Sequence, residues 1–279
     1  MAISNITGSC STEPWREKSS TILTMDGKME RIWTLSELNA VREKRPYTTY
    51  GGWAEQKPGF GTLGRFMPEM THLTEDGETY ELNFRFDRAA YQIMRDLGAS
   101  HRVAADKAFL CPTWCGKRNT ATKGQTWQFD MQVADDPDIE LVAMLWPEHD
   151  IDWPDGEVNI VEGKMGKDTM LTNLHWKDPE TNEGRHAPLD IQMRPQWLNR
   201  YGLRIKPNAV LWYINGWDER VLETPHAPYR NQVHFVLQAG VNEHILERMG
   251  EDPISDGFEW ERTILFRPVN FPGIHPNFK

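Results

Sequence analysis

The chain of 279 residues is poor in the features that staple, tether or anchor a protein. It has only three cysteines, Cys10, Cys111 and Cys115, which cannot all pair within one chain. Cys111 and Cys115 bracket Pro112-Thr113-Trp114, which is the spacing of neither a thioredoxin nor a zinc motif. Free buried thiols are the better reading, with a local Cys111–Cys115 disulfide left open. The nine histidines are scattered, and none forms a pair spaced for zinc on a helix. No run of eighteen or more apolar residues exists, which excludes a membrane-spanning helix. There is no Ser/Gly-rich linker, no low-complexity tract and no internal repeat. No nucleotide or cofactor fingerprint is present, so a metabolic enzyme of that type has little support. There is no excess of positive charge: 31 basic against 41 acidic residues give a net charge of -10. Such a surface opposes nucleic acid and anionic membranes as partners. Strongly anionic polysaccharides are also less attractive, unless a local basic groove overrides the net charge.

What is there is mostly strand. Hydrophobic residues make up 39% of the chain, enough for a real core. Asn83-Phe84-Arg85-Phe86, Trp127 to Val133, Leu141 to Pro147 and Val233 to Leu237 alternate or run apolar as strands do. Asn215-Gly216 is a two-residue hairpin signal after Leu211-Trp212-Tyr213-Ile214, and Lys206-Pro207-Asn208 marks the turn before it. Two segments read as helices. Ser36 to Lys44 stops before Pro46, and Arg88 to Leu97 meets Gly98. The tail from Arg267 carries Pro268, Pro272 and Pro276, too many prolines for a central strand. The class is all-β with a short, partly helical N-terminal extension. Residues 1–59 form the extension packed on the main body, 60–268 the body, and 269–279 a Pro-rich tail.

The most informative stretch is Trp153-Pro154-Asp155-Gly156-Glu157-Val158-Asn159-Ile160-Val161-Glu162. Glycoside hydrolysis by the common route needs two carboxyl groups, one an acid and the other a base or nucleophile. On a straight strand the Cα atoms of Glu157 and Glu162 lie roughly 16 Å apart. Parity also sends Glu162 to the face opposite Glu157 and Asn159. One inserted residue, a β-bulge at Ile160 or Val161, repairs both faults. The carboxyl gap can then approach the ~5 Å of retaining glycosidases. Trp146, Trp153, His175 and Trp176 cluster around these acids in sequence. Flat aromatic rings match the apolar C–H faces of sugars. Only one of His175 and Trp176 can face the acids, because their parities differ.

The chain here resembles glycoside hydrolase family 16, the laminarinase, agarase and carrageenase group. The signature Glu-x-Asp-x-x-Glu corresponds to Glu157-Val158-Asn159-Ile160-Val161-Glu162. Further segments resemble the family in the same order. They include Arg65 to Met70, Lys117 to Phe129, Leu145-Trp146-Pro147, Leu174-His175-Trp176 and Tyr201 to Ile205. Val210 to Gly216, Val233 to Gly240 and Phe258 to Phe266 complete the set. The match covers roughly residues 60 to 268. The resemblance implies a concanavalin A-like jelly-roll β-sandwich, with Glu157 as nucleophile and Glu162 as acid/base. Asn159 stands where the family has aspartate. Asparagine keeps a donor and an acceptor but cannot ionise, so a third negative charge is missing. Trp146, Trp153, His175, Trp176, Arg118 and Gln238 are the expected sugar-binding residues. No cofactor is expected. Asp135-Asp136-Pro137-Asp138 invites a structural calcium ion, but it lacks EF-hand spacing and reads better as an acidic turn.

Two readings of function remain open at this level. One is an endo-acting retaining hydrolase of a β-linked polysaccharide, a β-glucan or a galactan. The other is a non-catalytic or weakly catalytic glycan-binding or structural module, for which a bacteriophage tail is a fitting setting. Met1 to Cys10 lacks a basic segment followed by an apolar core, the pattern of a secretory leader. A removed leader, another export route or release by lysis within a virion would each reconcile that with an external glycan. Extracellular or virion-associated action is therefore expected, with assembly partners in the second case.

Overall fold

The computed structural model describes residues 20–23, 29–32, 62–67, 70–76, 78–115, 126–132, 135–147, 153–192, 198–215 and 217–270. The helix expected over Ser36 to Lys44, most of the 1–59 extension, Arg118 and the tail from residue 271 lie outside them. A hairpin pairs Ser20–Leu23 (β1) with Met29–Ile32 (β2). Then come Arg65–Phe66 (β3), Thr71–Leu73 (β4) and Tyr80–Phe86 (β5). Helices Arg88–Asp96 (α1) and His101–Ala108 (α2) lead to Phe109–Cys111 (β6), Thr113–Cys115 (β7) and Thr126–Gln132 (β8). Ile139–Pro147 (β9), Val158–Lys164 (β10), Thr169–Lys177 (β11), Gly184–Gln192 (β12) and Leu198–Lys206 (β13) follow. Ala209–Ile214 (β14), Trp217–Glu223 (β15), Val233–Val241 (β16), Ile245–Met249 (α3) and Glu261–Asn270 (β17) complete the order.

These elements fall into two compact units. The first takes in the described residues up to Trp114, with Asp136–Glu140 and Gln238–Ile264. Its core is aromatic. Phe109 meets Trp260 edge-on at 5.4 Å, and Phe86 packs against Tyr91 at 5.6 Å and Phe109 at 5.2 Å. The expected helix after Arg88 forms because Asp87 caps it, accepting from the Ala90 N–H, and it stops at Gly98 with φ +85°. Helix α2 was not read from the sequence. Ser100 caps it, and Ala104, Ala105 and Ala108 form its buried face. An alanine face gives little periodic hydrophobic signal. Cys111 is a buried free thiol, raised far above its usual range by desolvation. In the expected acidic turn, Asp136 is held by Arg262 and Asp138 by Arg248. No cluster of His, Cys, Asp or Glu suited to a metal occurs among the described residues.

The second unit holds the sandwich interior. One layer runs β12-β11-β10-β9-β16, and the facing layer runs β15-β14-β13-β8-β17. Phe129 and Phe266 of the second layer meet Phe235 of the first. Phe129 lies 5.1 Å from Tyr201 and 5.2 Å from Phe235. Both expected turns are present. Pro207 and Asn208 join β13 to β14, and Asn215, at φ +55°, opens the turn between β14 and β15. One expectation fails. Strand β17 does not stop short of the prolines but runs through Pro268 to Asn270. Its pairing with β8 shifts register between Pro268 and Asn270, and at such an irregularity the ladder tolerates a missing N–H. Asp130, nearly fully buried on β8, lies directly opposite both Arg200 on β13 and Arg267 on β17. Arg200 donates to its carboxylate at 2.7 and 3.0 Å, and Arg267 also donates to it.

Across the interior, the Trp212 indole N–H on β14 donates to the backbone carbonyl of Asn159 on β10 at 3.0 Å. Both residues are almost wholly buried. Replacing Trp212 by phenylalanine keeps most of the packing but removes the indole donor to that carbonyl. We expect a loss of about 1–3 kcal/mol, read as a lower denaturant midpoint at unchanged slope. A variant as stable as the parent would show that the bond contributes nothing.

Candidate functional site

Strand β10 carries the two glutamates, and its pairing with β11 shows how they come together. Val158 lies opposite Leu174 and Asn159 opposite Asn173, but Glu162 lies opposite Leu171. Three steps along β10 therefore match two along β11, the signature of one inserted residue. Ile160 and Val161 fill the bulge and are both buried. Their apolar side chains are what the sandwich interior accepts, so the polar residues on either side emerge on one face. The expected bulge is present at the expected place.

Glu157 is nearly fully buried. The Trp153 indole N–H donates to its Oε2 at 2.5 Å. His175 Nε2 lies 3.5 Å from its Oε1. Gly156, at φ +101°, delivers the chain into Glu157, and a Cβ there would press on Asn231, Pro147 and Val233 at 3.4 Å. Asn159, 1% exposed, sits between the acids. Its amide nitrogen donates to Glu162 Oε2 and lies 3.3 Å from His175 Nε2. An amide nitrogen only donates, so the imidazole accepts at Nε2 and carries its proton on Nδ1. The Asn159 Oδ1 finds no hydrogen-bond partner among the described residues.

Burial sets the proton balance. Desolvation pushes Glu157 above the usual carboxylate range, against the opposing hydrogen bonds of Trp153 and Asn159. Desolvation also raises Glu162, with Asn159 and His175 opposing and the charge of Glu157 adding to the rise. His175 is pushed down by burial, which keeps its ring neutral near pH 7. Its approach to Glu157 is then not an ion pair.

The remaining expected residues divide. Trp153 is 48% exposed and stacks with half-buried Trp146, ring centres 6.4 Å apart at 21°. His175 faces the acids, while Trp176, of opposite parity, stacks on His226 at 5.0 Å and 9°. Gln238 is half-buried on β16, in the part that belongs to the first unit. Two residues were missed. Trp212 was read only as part of a hairpin. His186 stacks on His175 at 5.6 Å and 14°, the two lying opposite each other on β12 and β11. Counting outward from the turn between Lys177 and Gly184 would have found it.

The raised carboxyls give a signed expectation. A group whose pKa is higher in the folded state opposes folding once the pH passes its unfolded value, here 4.5. Glu157→Gln should therefore raise the melting temperature at pH 8 and leave it nearly unchanged below pH 4. Scanning calorimetry at the two pH values checks this, and an equal shift at both would contradict it.

No protein-family profile matches the sequence, and no curated protein sequence does. Solved structures are similar. A glycoside hydrolase family 16 endo-glucanase from Bacteroides ovatus matches with TM-score 0.55 at 10% identity, over 80% of this chain and 92% of that one. The laminarinase catalytic domain from Thermotoga maritima gives TM-score 0.52 at 13% identity, over 75% and 85%. A prokaryotic β-1,3-1,4-glucanase (lichenase) derived from a mouse hindgut metagenome gives 0.53 at 16%, over 79% and 92%. At such identities the likeness bears on the fold: this chain is a jelly-roll β-sandwich of the kind found in glycoside hydrolase family 16 laminarinases and lichenases.

Proposed function

We propose that this protein is an endo-acting retaining glycoside hydrolase of a β-linked polysaccharide, in the β-glucan class. The observation that carries this reading is the bulge in β10, which puts Glu157, Asn159 and Glu162 on one face with an amide between the acids. The neighbours named as laminarinase and lichenase support the substrate class by analogy of fold. Such a polymer is met outside the cell, and we place the action there.

In the first step Glu162 gives its proton to the glycosidic oxygen as that bond breaks, and the Glu157 carboxylate bonds to the anomeric carbon. In the second, Glu162 takes a proton from water, whose oxygen displaces Glu157 with net retention. Trp153 and Asn159 hold the carboxyls in place, and neutral His175 packs beside them without adding charge. Burial suits Glu162 to its part, since a raised pKa keeps its proton available.

Asn159 favours a second reading, a glycan-binding module that kept the cleft and lost efficient turnover. Its amide donor favours the ionised form of Glu162, whereas an acid catalyst must start protonated. Product release from β-glucans and galactans, with the anomer followed by NMR, separates the two. The hydrolase reading expects cleavage with retention, lost at least roughly a thousandfold in Glu157→Gln. Binding without cleavage, with turnover appearing only in Asn159→Asp, would establish the second reading.

A further inference from the structure

We propose that His186 is a sugar-binding residue that extends the cleft past the acids to the edge strand, holding a glycosyl unit other than the one bonded at Glu157. The inference rests on the reading of this face as a glycan cleft. Glu157, His175 and His186 stand abreast on three neighbouring strands. The His175 N–H donates to the Glu157 carbonyl at 3.1 Å, and His175 pairs directly with His186. Two strand spacings separate β12 from β10, roughly 10 Å. On the other side of Glu157, toward β9, stands the stacked Trp146–Trp153 pair. Two stacked planar pairs thus flank the acid along a line crossing the strands.

His186 is exposed on β12, an edge strand, although stacking holds its ring nearly parallel to that of His175. The Asn173 amide lies 3.5 Å from His186 Nδ1, so Nε2 lies on the other side of the ring from that contact. Gly184, next along the same face of β12, bears no side chain to cover it. A Cβ there would meet only Pro154, at 3.7 Å. An exposed, oriented ring offers a flat face to sugar C–H groups and a ring nitrogen to hydrogen-bond a hydroxyl. A cleft of that width requires several linked sugars, as an endo-acting protein does.

The test uses the full chain carrying Glu157→Gln, so that nothing is consumed, titrated with β-glucan oligosaccharides from two units upward. Adding His186→Ala should weaken binding of the longer oligosaccharides about tenfold and leave the shortest one that binds unaffected. His186→Phe should recover part of the loss, because it keeps the flat face. A purely structural role would instead weaken every length alike and lower the melting temperature. Equal affinity at all lengths, or equal loss at all lengths, overturns the proposal. Failure of the His186 protein to bind any oligosaccharide refutes the glycan-cleft reading itself, and this inference with it.

Discussion

The site depends on one irregularity, the extra residue in β10, and on the bond that makes it tolerable inside a sandwich. A bulge breaks the regular ladder, and buried backbone polar groups cannot be left unmet. Here the Trp212 indole, reaching across from β14, takes the Asn159 carbonyl. Ile160 and Val161 fill the space beneath. With that fixed, Glu162 returns to the face of Glu157, and the pair has a shared donor in Asn159. Without the extra residue Glu162 would point into the core, where an isolated carboxylate is not tolerated.

The electrostatics follow from the same placement. Desolvation raises the proton affinity of both carboxyls, and the charge of Glu157 raises that of half-buried Glu162 further. Asn159 moderates this with a fixed donor and no charge of its own. His175 is kept neutral by burial, so it adds a polar ring but no positive charge beside the acids. The Asp130 clamp shows the other regime. Burial pushes its carboxyl up, but two opposed guanidiniums outweigh that and hold it below the ordinary range. Asp130 ties three strands together, whereas the raised glutamates have no guanidinium among the described residues opposite them to offset their burial.

Much of this was legible in the chain. Parity along Glu157-Val158-Asn159-Ile160-Val161-Glu162 demanded a bulge, because only an inserted residue returns Glu162 to the face of Glu157. Parity also separated His175 from Trp176, and the structure gives them different partners. The Asn215 turn followed from the need for a left-handed backbone. Pro268 misled because its missing N–H argues against a strand, whereas a register shift beside it removes the need for that donor. Helix α2 was hidden because small alanines, rather than large apolar residues, make its buried face.

The sequence by itself determined that Glu157 and Glu162 share a face only through an inserted residue, since alternation along a strand is a local property of the backbone. It also determined the net charge of -10 and contains no run of eighteen apolar residues. Only the tertiary structure decided what those residues touch. Trp212 meets Asn159, His186 stacks on His175, and Asp130 takes two arginines through contacts between residues 53, 11, 70 and 137 positions apart. Proton affinities belong to the same class, because desolvation depends on everything packed around a carboxyl. Strand pairing sets these distances, and apart from the His175–His186 hairpin pair no short window of sequence contains both partners.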